Sequence, residues 1–289
     1  MTTSDASENP APRSAGPSSV SRQPTAATGP PTPSRWRLLT FRVIAALSGA
    51  FFLLAAVSNA AAPWALLMPG DDRHADLNRW FFAVSGAVDL ILAGCLLALA
   101  YRPRLTLLVV DILLAVVIAA VIILPLQPAF GLLLMIGVLP LVAYPYWRDV
   151  RDVSRWWTGI NPVLLALTSV VAAALVVTAV VAYGRQIGGT DQAAQANWWS
   201  DYAEHATLLG VAGVLAVSRG PGHRVLATLC SVAWLYLGGV AALVLPHYTG
   251  SWGRLGGVIA VAVGIGFAVV AARGAGRLVA LPPAQAAAP

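Results

Sequence analysis

"WWSDYAEHATLLGVAGVLAVSRGPG", residues 198–222, decides how many times this chain crosses a membrane. It opens on two tryptophans, carries Asp201, Glu204 and His205, and then runs apolar as far as Val217. Arg219 and a Gly-Pro-Gly turn close it. Read as a helix that spans the bilayer, it keeps the arginines before and after it on one side. Read as a loop, it throws the later ones to the other side.

The rest of the chain makes a membrane reading the direct one. Of 289 residues, 58% are hydrophobic and only 10% charged, and the mean hydropathy is +0.75. A water-soluble protein of this size needs a charged surface that these residues cannot build. The net charge of +6 comes from 18 arginines with no lysine. They are spread through short loops rather than gathered on one face with aromatics, which argues against nucleic acid as a partner and leaves the lipid bilayer. The two cysteines, Cys95 and Cys230, lie inside apolar runs and read as small packing residues.

A helix rises 1.5 Å per residue, so about 20 residues cross the hydrocarbon. On that measure the apolar runs predict spans near 40–62, 79–101, 105–125, 128–146, 162–184, 202–218, 224–246 and 254–273. Pro125 and Pro128 break the run from Leu105 to Ala143 into a tight hairpin. The expected architecture is therefore an all-α, polytopic bundle of about eight transmembrane helices. The domain plan is a disordered cytoplasmic tail over 1–35, rich in Pro, Ser and Thr, the bundle over 36–274, and a short cytoplasmic tail over 275–289. The first thirty residues hold no apolar core of the signal-peptide kind.

Arginine placement tests the count. With eight spans and an inner N-terminus, the inner side holds Arg13, Arg22, Arg35, Arg37, Arg42, Arg102, Arg104, Arg148, Arg151, Arg155, Arg219, Arg224, Arg273 and Arg277. The outer side keeps only Arg73, Arg79, Arg185 and Arg254. This bias predicts a plasma-membrane protein with both termini cytoplasmic. It also supports a sixth span at 202–218 despite its polar start. The inner segment "PYWRDVRDVSRWWTGINP" (145–162) spaces Trp147, Val150, Val153 and Trp157 as an amphipathic helix in the interface. The two halves of the chain echo one another: "LALAYRPR" (97–104) resembles "VLAVSRGPG" (214–222), and "IILP" (122–125) resembles "LVLP" (243–246). Four helices per half would keep the same orientation, giving a 4+4 parallel internal repeat.

Ionisable groups inside hydrocarbon are costly and mark candidate sites. Asp89 falls near the middle of the second span, with small neighbours Ser85, Gly86 and Ala93 that let another helix approach. A carboxyl there suits a proton or cation site in a transport path; the plainer reading is a neutral Asp bonded across a helix interface. Asp111 lies in the third span, where Arg42 is a candidate ion-pair partner, and the two carboxyls are candidates to line one cavity. Asp201, Glu204 and His205 share one helical face at the outer end of span six. His74, in "GDDRHAD" (70–76), and His247, in "PHYTG" (246–250), fall on the same side, so the five residues are a candidate outer-face metal or proton site. The plainer reading makes Ser200 or Asp201 a helix N-cap. No P-loop, dinucleotide fingerprint, HExxH or GxSxG occurs, so neither a catalytic constellation nor a cofactor is indicated. Gly253, Gly257, Ala260 and Gly264 form a small-residue stripe for packing inside the bundle or against a second protomer or membrane partner.

Three functions follow in order: a small transporter or permease-like protein built on Asp89; a non-catalytic scaffold or accessory subunit; and a membrane enzyme or metal-handling protein with the outer-face His and carboxylate site.

Overall fold

Each apolar run is helical in the computed structural model, which describes residues 33–65, 72–150, 160, 162–248 and 250–273. The long helices are α1 (Arg35–Ala61), α2 (Asp72–Tyr101), α3 (Thr106–Ile122), α4 (Gly131–Ala143), α6 (Pro162–Gly188), α8 (Trp198–Ala216), α9 (His223–Gly239) and α10 (Gly253–Arg273). Two four-residue helices, α5 (Trp147–Val150) and α7 (Gln192–Gln195), lie in the connections. No strand occurs among the described residues. Five segments are long and apolar enough to cross a membrane: Arg35–Trp64, Asp76–Tyr101, Leu165–Gly188, His223–Val244 and Gly253–Ala272. The helices α3 and α4 are apolar but shorter, and α8 carries the polar start that keeps it out of that set. The chain is thus an all-helical, multi-pass membrane protein. Of the expected interfacial helix over 145–162, α5 is the described part, and residues 151–159 and 161 lie outside the described residues, as do the 1–32 and 274–289 parts of the expected tails.

The core sits where α2, α3, α8 and α9 meet. Leu96, Leu107, Leu209, Leu226 and Leu237 are buried there with both cysteines. The helices α1, α6 and α10 pack along α2, α8 and α9 respectively, and their outward residues, such as Leu54, Val180 and Leu255, are exposed apolar side chains. Water penalises such a surface, whereas lipid does not.

Glycine sets the closest approaches. A Cβ on Gly86 would stand 2.7 Å from the backbone nitrogen of Ala60, so the end of α1 and the middle of α2 touch backbone to backbone. A Cβ on Gly257 would stand 2.7 Å from both the Gly238 oxygen and the Ala242 nitrogen, and one on Gly264 would meet Leu235. Gly257 and Gly264 therefore pack against α9 in the same chain. Of the two expected uses of the stripe, Gly257 and Gly264 show the one inside the bundle. Gly253 has a left-handed backbone (φ 59°) just after the loop, a conformation that costs glycine little.

The turns at the two echoing motifs are joined. The Leu107 N–H at the start of α3 donates to the Pro221 carbonyl at 3.0 Å, satisfying one of the donors that a helix start leaves unpaired. Nearby, the Tyr144 hydroxyl donates to the Pro103 carbonyl at 2.8 Å and its ring meets Phe41 edge-on at 5.4 Å, tying α1 to the end of α4. At the opposite end Trp252 lies between two other tryptophans, stacked on Trp234 with centroids 5.3 Å apart and edge-on to Trp80 at 5.0 Å. Trp234, which sequence position alone leaves stranded in mid-span, is one side of this aromatic layer.

Gly257→Ala forces backbone atoms apart and is expected to cost about 1–3 kcal/mol, the usual range for overpacking. Gly184→Ala points into open space and should instead hold or slightly raise stability. Thermal unfolding of the two variants in one detergent checks the contrast; equal midpoints would contradict the α9–α10 packing.

Candidate functional site

Asp89, Asp201, Glu204 and His205 line one cavity of about 300 Å³. Its walls come from α1, α2, α3, α4 and α8, and its polar groups gather at one end. The rest is aliphatic or aromatic, including Phe51, Phe52, Phe81 and Phe130.

The close α1–α2 contact at Gly86 builds the first part of the polar end. It brings Asn59, the neighbour of Ala60, against the second helix, where its Nδ2 donates to Asp89 Oδ2 at 2.9 Å. Ser85 stands one turn before Asp89 on the cavity wall; it is buried and its hydroxyl has no hydrogen-bond partner. Asp89 itself is half-buried.

The helix α8 supplies the second part. It begins at Trp198, four residues before the expected span, after Asn197 in the left-handed region (φ 61°). Asn tolerates that conformation better than most side chains. The start is fixed by Gln186 of α6, whose amide donates to the Ala194 carbonyl and the Asn197 side chain and whose oxygen accepts from the Ser200 N–H. The expected cap is thereby corrected. Ser200 donates its hydroxyl to the Asn197 carbonyl and Asp201 Oδ1 accepts from Gln127 Nε2 at 2.8 Å, so neither side chain caps the helix. Gln127, in the α3–α4 turn between Pro125 and Pro128, was missed in the sequence; a lone amide in a proline-bounded turn carries no motif.

One turn deeper, Glu204 is buried (6% exposed) and makes no side-chain hydrogen bond among the described residues, yet lies within electrostatic reach of Asp201 and Asp89. His205 stands beside the backbone of Asp201, but its Nδ1 forms no hydrogen bond of good geometry. Its ring meets Phe81 edge-on at 6.2 Å, and Phe81 stacks on Trp198 at 6.0 Å. Three carboxyl groups thus share a largely apolar chamber with His205, and among the described residues no arginine is in its wall. Among the described residues the only ion pair is Arg79–Asp76, at 3.6 Å.

The other expected residues fall elsewhere. Asp111 is buried and accepts a hydrogen bond from the Cys95 thiol at 3.7 Å. It lines a small adjoining void of about 10 Å³, not the large cavity, although Val88, Leu92, Ala115 and Leu208 form a wall common to both. Arg42 is exposed and forms no ion pair with it, which corrects that expectation. His247 is exposed and does not line the cavity; the side chain of His74 lies outside the described residues. Among the described residues no group of three or more His, Cys, Asp or Glu is placed to hold a metal ion.

A hydrogen bond to a carboxylate contributes about 1.5–3 kcal/mol, and one between neutral partners less. A double-mutant cycle on Asn59→Ala and Asp89→Ala, read by detergent unfolding, should therefore give a coupling of about 1–3 kcal/mol. Additive effects would contradict the Asn59–Asp89 contact.

Compared with known proteins, the chain matches no family model, no curated protein and no solved structure.

Proposed function

We propose that the protein is a small transporter of the plasma membrane, permease-like, in which Asp89 is the intramembrane proton or cation site. The observation that carries this reading is the cavity itself: Asp89, Asp201 and Glu204 line one chamber, Glu204 within electrostatic reach of the other two, and among the described residues its wall holds no arginine and one histidine, His205, to set against three carboxyls. Uncompensated carboxyls in hydrocarbon are strongly unfavourable and persist where they bind or pass a positive charge. A packing role would be served as well by an apolar residue, and a scaffold has no use for a chamber there.

Eight crossings arranged as two parallel four-helix halves fit the reading. Helix α1 on α2 corresponds to α6 on α8, α3 on α4 to α9 on α10, and α2 on α9 to α8 on α3. The bond between Leu107 and Pro221 then joins the equivalent turns of the two halves, as an axis along the membrane normal requires. The arginine distribution orients this bundle with both termini, and the 102–104 and 219–222 turns, in the cytoplasm.

Two measurements follow. Reporter insertions after Arg104 and after Gly220 should read as cytoplasmic and one after Gly189 as external; an external signal at Gly220 would remove α8 as a crossing. A pH jump across proteoliposomes on a solid-supported membrane should give a charge-displacement current that falls by an order of magnitude or more in Asp89→Asn, with helicity by circular dichroism retained. An unchanged current in the folded variant would overturn the transport reading in favour of a scaffold.

A further inference from the structure

The cavity has more room than a proton needs, and its walls specify what else fits. At about 300 Å³ it reaches the lower end of the size of small-molecule pockets. Its polar end presents acceptors: the carboxyls of Asp89, Asp201 and Glu204. Two polar side chains on its wall, Glu204 and Ser85, are each more than nine-tenths buried, and the Ser85 hydroxyl has no hydrogen-bond partner among the described residues. Such groups are costly to leave unpaired, so a ligand that pairs with them gains what the fold alone forgoes.

The remaining wall is apolar, and four phenylalanines contribute to it. Aromatic faces attract cations, most strongly where water is excluded. An inorganic metal ion is a poor match, because no metal-ligand group is assembled among the described residues and most of the chamber offers carbon. An anion is opposed by three carboxyls. The chamber also reaches the lipid-facing surface. Phe51 on α1 and Leu133 on α4 both line it, and they are 42% and 44% exposed on the outside of the bundle. The chamber thus comes closest to a bilayer-dissolved molecule where Phe51 and Leu133 form its wall.

We infer that this cavity binds a lipophilic organic cation, with its charge held at Asp89 and Glu204, its apolar body against the phenylalanines, and access from the bilayer between α1 and α4. The inference rests on the transport reading above and names its substrate class. The carboxylates supply charge recognition, and the aromatic wall supplies the apolar contact.

Equilibrium dialysis of the full-length protein in detergent, with tetraphenylphosphonium and tetraphenylborate as probes, tests it. The two ions have the same shape and opposite charge. The expected result is saturable binding of about one tetraphenylphosphonium per chain, no saturable binding of tetraphenylborate, and a loss of affinity of about tenfold or more in Glu204→Gln, the scale on which an unpaired charge in a desolvated site is felt. Equal binding of the two ions by the wild-type protein, or binding of neither, overturns the inference without appeal to any variant. So does unchanged tetraphenylphosphonium affinity in folded Glu204→Gln. The transport reading stands or falls separately, on the Asp89→Asn charge displacement measured with no organic cation present.

Discussion

Three carboxyl groups held around one largely apolar chamber, with no ion pair to any of them among the described residues, are the constraint on which the rest of this molecule turns. Water would solvate them and lipid would expel them, so the bundle must shield them. Each supporting feature serves that need. Gly86 lets α1 lie against α2 and deliver Asn59 to Asp89. Gln127 reaches from the α3–α4 turn to Asp201. Gln186 fixes the first turn of α8 so that Glu204 and His205 face inward. Glu204 alone among the three carboxyls is left without a donor.

The same constraint accounts for the unequal apolarity of the helices. Peripheral α1, α6 and α10 carry continuous apolar surfaces toward lipid and pass as membrane spans on composition. Central α8 is shielded by its neighbours, so it tolerates a polar first third that would be prohibitive on a lipid-facing helix. Packing replaces hydropathy there: Gly210 lies against Ala172 of α6, and Gly213 against Phe267 of α10.

Much of this was legible in the sequence, and for physical reasons. Apolar runs bounded by Pro, Gly and Arg mark helices because only a helix satisfies its backbone in lipid, and each predicted run is helical in the structure. Intramembrane Asp89 stands out by cost alone. What was not legible depends on contacts between distant segments. Nothing local to Asp111 says that a thiol sixteen positions earlier, rather than Arg42, will be its partner. Nothing in "GDDRHAD" or "PHYTG" fixes whether loop histidines converge. The stripe on α10 reads equally as an internal or an external packing face until α9 is seen against it. The residues that complete the site, Asn59 and Gln127, are single amides in segments with no motif, and only the fold brings them to Asp89 and Asp201.

The central claim is that the chamber, with three carboxyls and His205 as its single basic side chain among the described residues, carries a net negative field. Cysteine reactivity at Ser85 measures that field directly, because the native Cys95 and Cys230 are fully buried and should stay silent. In a Ser85→Cys variant, a trimethylammonium methanethiosulfonate should react about tenfold or more faster than its sulfonate counterpart of similar size, as expected where carboxylates concentrate cations. Equal rates, or faster reaction of the sulfonate reagent, would contradict the account.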